Sequence, residues 1–77
     1  MTYEDFKKLV EKYCREDSFS EFSEGRKEKA IKETLTENED VIKERYEGLV
    51  GAFGDNLDFG VCKEHAGDLA YIMRFMW

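Results

Sequence analysis

Proline is absent from this sequence, so no position removes a backbone donor and forbids a helix interior. Cysteine occurs only at Cys14 and Cys62. Two are too few for a disulfide framework, and a reducing compartment keeps them as thiols. Long apolar runs are missing, and none approaches the roughly 20 residues that span a bilayer. The stretch Met1 to Arg15 carries charge throughout and has no apolar signal-peptide core. No Asn-x-Ser/Thr acceptor occurs. An uninterrupted basic patch is also lacking. Arg26, Lys27, Lys29 and Lys32 form the one cationic cluster, and Glu28 and Glu33 break it, which argues against direct binding of nucleic acid. These absences lead to the expectation of an intracellular, cytoplasmic chain with no membrane segment.

What is present favours helix. Charged residues make up 39% of the 77 residues, mostly Glu and Lys, and hydrophobic residues 42%, enough for a core and against disorder. Residues 1–77 read as one helical domain of modest stability, because so short a chain buries only about 60–65% of its unfolded surface. The expected class is all-α, a small bundle of about four helices with one short or irregular.

Periodicity and caps set the expected elements. Tyr3 to Arg15 forms the first helix, capped by Thr2 with Asp5 in its first turn. Tyr3, Phe6, Leu9, Val10, Tyr13 and Cys14 make its apolar stripe. Residues 17–25 read as a connector with at most one helical turn. Ser18 and Glu21 stand at capping-box spacing, and Phe19 and Phe22 are its candidate anchors. A second helix spans about Arg26 to Leu35, with Ala30, Ile31, Thr34 and Leu35 inward. Thr36 with Glu39 has the spacing of a capping box for a third helix reaching about Ala52. Val41, Ile42, Tyr46, Leu49, Val50 and Phe53 are its expected inward side. Gly54 to Asp58 reads as a turn, and Asp58 as N-cap of a last helix from Phe59 onward. Cys62, Ala66, Leu69, Met73 and Met76 form the seam of that helix, widened by Val61, His65, Ile72 and Phe75.

Several chemistries fail on spacing. Gly48, Gly51, Gly54 and Gly60 match neither the P-loop nor the dinucleotide fingerprint, so the first two are expected to admit a close neighbour and Gly54 to end the helix. Asp55 to Ala66 lacks oxygen ligands at Leu57, Phe59 and Ala66, where a calcium loop needs them. Asp58-Phe59-Gly60 spells the kinase magnesium tripeptide with nothing else of that machinery present. Cys62 and His65 share a helix face but lack the further ligands of a zinc site and any orienting group for a nucleophile. The i,i+3 pairs Glu44/Glu47 and Glu37/Asp40 sit among charged neighbours and read as a solvated face rather than a general acid and base. No catalytic residue, metal or cofactor is therefore expected.

Two features point to protein binding. The first is charge segregation within a net −6. Residues 17–25 contribute −3 and residues 37–60 contribute −5, while the remainder sums to +2. A segregated acidic face suits a basic partner. Glu37, Glu39, Asp40, Glu44 and Glu47 are its candidate contacts. The composition resembles that of small acidic phage proteins that block restriction or CRISPR effectors by standing in for nucleic acid. The resemblance is one of composition and extends to no residue-by-residue match. It implies an inhibitor that presents acidic residues to a basic nucleic-acid-binding protein. The second feature is the terminal run from Leu69 to Trp77, in which seven of nine residues are large and apolar. Tyr71, Phe75 and Trp77 are candidates for a hydrophobic adaptor surface or for a homodimer contact through the C-terminal helix.

Overall fold

A computed structural model describes residues 1–75 and shows an all-α bundle of four helices. They are α1 (Tyr3–Tyr13), α2 (Glu24–Glu37), α3 (Glu39–Phe53) and α4 (Phe59–Arg74), and no strand occurs among the described residues. The seam residue Met76 and the candidate contact Trp77 lie outside the described residues.

Helix α1 starts as its caps dictate. The Asp5 amide donates to the Thr2 hydroxyl at 3.2 Å, and the Thr2 amide donates to the Asp5 carboxylate at 3.3 Å, a reciprocal capping box. Phe6, Leu9, Val10 and Cys14 are buried and Tyr3 and Tyr13 are half-buried, as the period of three and four requires. At Cys14 the helix widens into a single π turn, Cys14–Ser18, closed by the Phe19 amide donating to the Cys14 carbonyl at 2.8 Å. The irregular segment thus continues α1 as a π turn, and a short 3-10 helix, Gly54–Asn56, follows α3.

The connector folds differently from its expected capping box. The Ser18 hydroxyl donates to the Ala70 carbonyl of α4 at 2.6 Å and caps no helix. Helix α2 starts later, at Glu24, after Ser23, whose side chain makes no cap bond. Phe19 is 1% exposed and plugs the core, with Phe22 stacked beside it at 5.2 Å between ring centroids. The Arg26 guanidinium lies 4.2 Å above the Phe22 ring, a cation–π contact that closes the outer side of the connector.

The expected capping box at Thr36 and Glu39 does not form. Helix α2 runs through Thr36, whose hydroxyl donates to the Lys32 carbonyl at 2.8 Å, and the Glu39 carboxylate takes an ion pair with Lys7 at 3.1 Å instead. The break falls at Asn38. Its side-chain amide donates to the Thr34 carbonyl at 2.9 Å, and its own carbonyl opens α3 by accepting from Ile42. An asparagine that competes for carbonyls is a natural place for one helix to end and the next to begin.

Helix α4 begins at Asp58, which accepts from the Val61 amide at 2.9 Å. It packs most extensively against α1 and the π turn. Its buried residues are Cys62, Ala66, Leu69, Ala70 and Met73. The core therefore lies between α1, the connector and α4, with α2 adding Ala30, Ile31, Thr34 and Leu35. Helix α3 has the fewest buried residues, Ile42 and Leu49. Three of its expected inward residues, Val41, Val50 and Phe53, are instead 46%, 41% and 39% exposed: Val41 and Val50 flank the narrow stripe through Ile42 and Leu49, and Phe53 lies in line with it at the last residue of the helix. On α4, Ile72 and Phe75 are likewise exposed rather than part of the core.

Candidate protein-binding surface

The physics of α3 places its charges. At 3.6 residues per turn, Asp40, Glu44 and Glu47 line up on the side of the helix opposite Ile42 and Leu49. All three are exposed, and among the described residues none is held in an ion pair. Their positions are separated by about 6 and 4.5 Å along the axis at 1.5 Å per residue. The other two expected acidic contacts are placed differently. Glu37 is exposed but is the last residue of α2, across the break at Asn38. Glu39 leans back to α1 through Lys7, and the hydrogen bond from Lys7 raises the pKa of that ammonium. The acidic row is thus Asp40, Glu44 and Glu47, with Glu37 near its head.

Gly48 and Gly51 fall on the outward half of α3, and a Cβ at either would meet nothing within 4 Å. Among the described residues, the expected close neighbour is not found at either glycine. Gly54 does end the helix, with φ 53° and ψ −126°.

A groove of about 700 Å³ runs beside the acidic row, between α3 and α4. Val41, Leu49, Ala52 and Phe53 supply its apolar side, and Arg45 and His65 meet in it at 3.2 Å between guanidinium and Nδ1. An arginine has no acceptor, so the acceptor in this contact is His65 Nδ1. Sequence spacing could not have found this pair, because its members are twenty residues apart on different helices.

At the other end of α4, Tyr71 and Phe75 are 61% and 71% exposed and meet edge-on at 5.2 Å between ring centroids. These two candidate contacts share one exposed face, about 40° apart on a helical wheel.

Both cysteines are buried, and burial pushes the Cys14 thiol up to about 11 and raises Cys62 as well. Protonated, buried thiols are poor nucleophiles, which fits a packing role. The folded chain holds the Cys14 proton more tightly than the unfolded chain does. That contribution to stability is complete below pH 9 and is lost as the pH rises from 9 to about 11. Urea midpoints should therefore fall across this range, and Cys14→Ala should show a shallower fall from a lower start. A wild-type midpoint that stays level from pH 9 to 11 would contradict the burial argument.

Among the described residues, no three His, Cys, Asp or Glu side chains converge as a metal site, and no helix is long and apolar enough to cross a membrane. Compared with protein-family models, characterised proteins and solved structures, the chain matches none.

Proposed function

We propose that this chain is a non-enzymatic binding protein that presents the outward row Asp40, Glu44 and Glu47 to a basic nucleic-acid-binding protein and inhibits it by occupying the place of nucleic acid. The carrying observation is that Glu44 and Glu47 have no task inside the fold, and that Asp40, in the first turn of α3, serves it only through the helix dipole. The three carboxylates make no ion pair among the described residues and cap no helix, whereas Glu28 is bound by Arg15 at 2.8 Å and Glu39 by Lys7. One carboxylate per about 5 Å along α3 is somewhat sparser than the ~3.4 Å per charge along one DNA strand. A partner surface built for phosphates meets charge of the right sign at comparable spacing.

The test is capture by the tagged chain from a nuclease-treated lysate, eluted with rising salt, beside an Asp40→Lys/Glu44→Lys variant. Recovery of a basic nucleic-acid-binding protein that elutes as salt rises is expected for the wild type. The variant should lose it by a hundredfold or more, since like charges juxtaposed across an interface cost several kcal/mol. Both changes are at exposed positions, so the helical circular dichroism should be retained. Undiminished capture by the variant would refute the acidic row.

The exposure of Tyr71 and Phe75 favours a second reading, a hydrophobic adaptor or self-assembling subunit. It predicts association nearly indifferent to salt, weakened in Tyr71→Ala/Phe75→Ala and read by sedimentation.

A further inference from the structure

Helix α3 has the fewest buried residues of the four helices, Ile42 and Leu49, and a groove runs beside it. Its apolar side includes Val41 and Phe53, which are 46% and 39% exposed. From Val41 to Phe53 it follows α3 for about 18 Å, a little over three helical turns. Gly48 lies midway along this wall and Ala52 one turn further on. A glycine in a helix interior costs about 0.5–1 kcal/mol relative to alanine, and among the described residues nothing approaches Gly48 closely enough to offset that. The outer rim is acidic: Glu44 lines it, and Asp40 and Glu47 of the exposed row lie beyond Glu44 on the same helix. The cation in the lining, Arg45, is turned to His65.

From this combination we infer that the α3–α4 groove docks an amphipathic basic helix of a protein partner. The apolar stripe of that helix lies on Leu49, Ala52 and Phe53, its backbone comes close at Gly48, and its Lys or Arg residues reach Glu44 and the acidic row beyond it. Charge complementarity selects the basic flanks, and an apolar floor more than three turns long along α3 selects a helix as occupant. The groove is too open to enclose most of a small molecule, which argues against a metabolite as occupant. The inference rests on the acidic-row reading and narrows it from any basic surface to one kind of secondary structure.

The probes are two labelled synthetic peptides of identical Leu/Lys/Ala composition, each about 18 residues or five turns long. One places its leucines on a single helical stripe, and the other scatters them. Both are titrated into the intact 77-residue chain at physiological ionic strength and followed by fluorescence anisotropy. The striped peptide should bind about tenfold or more tightly than the scattered one. Gly48→Gln fills the groove where the wild type has open space, and it should keep or raise the melting temperature while weakening the striped peptide about tenfold. Asp40→Lys/Glu44→Lys should weaken both peptides. Equal binding of the two peptides, binding of neither, an unaffected Gly48→Gln, or self-association that excludes the peptide would each overturn the groove. If the peptides bind alike and charge reversal weakens both, the groove fails while the acidic row stands. If charge reversal changes neither affinity, the acidic row itself fails.

Discussion

Phe19→Ala is expected to lower the melting temperature by about 15 °C or more and to bring the chain near the edge of folding. The ring is 1% exposed, and truncating a buried Phe costs about 3–5 kcal/mol once the cavity is counted. Total stability at about 0.05–0.15 kcal/mol per residue is only about 4–12 kcal/mol for 77 residues, so one side chain in a connector holds about a quarter of it or more. Each kilocalorie lost from a domain of this size moves the midpoint by about 4–8 °C. The effect is large because Phe19 is locked on both sides. Its amide closes the π turn onto Cys14, and the preceding Ser18 hydroxyl holds the Ala70 carbonyl of α4. Phe22→Ala, at a half-buried ring, should cost less. Thermal circular dichroism of the two variants checks both magnitude and order. A Phe19→Ala midpoint within a few degrees of wild type would mean that the connector does not seal the core.

Substituting alanine at Gly51 and at Gly54 should have opposite signs, although both positions are open and lie three residues apart. Neither added Cβ meets an atom within 4 Å, so packing is removed from the comparison. Gly51 lies inside α3, and its replacement should stabilise by about 0.5–1 kcal/mol through lost unfolded-state freedom and better propensity. Gly54 has φ 53° and ψ −126°, a conformation that an L side chain rarely adopts, and its replacement should cost about 1–3 kcal/mol. Urea melts of the two variants would show midpoints moving in opposite directions with unchanged slopes. Two shifts of the same sign would mean that the turn after α3 relaxes without its glycine.

Charge and capping were legible in the sequence to different depths. The start of α1 at Thr2 and the start of α4 at Asp58 were readable because each cap bonds to an amide three residues on. The same spacing misled at Thr36 and at Ser18. There the hydroxyls had tertiary or within-helix carbonyls to bind, Lys32 for one and Ala70 for the other. The acidic row was readable in its core, Asp40, Glu44 and Glu47, since position on a helix follows from number alone. Glu39 was not, because Lys7, thirty-two residues away, claims its carboxylate.

The sequence by itself determined the all-α class, the four apolar stripes and the segregation of negative charge, since each depends on the helical period and on local composition. Tertiary structure alone decided which flanks of those stripes stay wet. It left Val41, Val50, Phe53, Ile72 and Phe75 exposed, joined Arg45 to His65, and opened a groove between α3 and α4. A domain this small has too few elements to cover every apolar flank, and which flank is left uncovered depends on how the helices pack together, which no local pattern encodes.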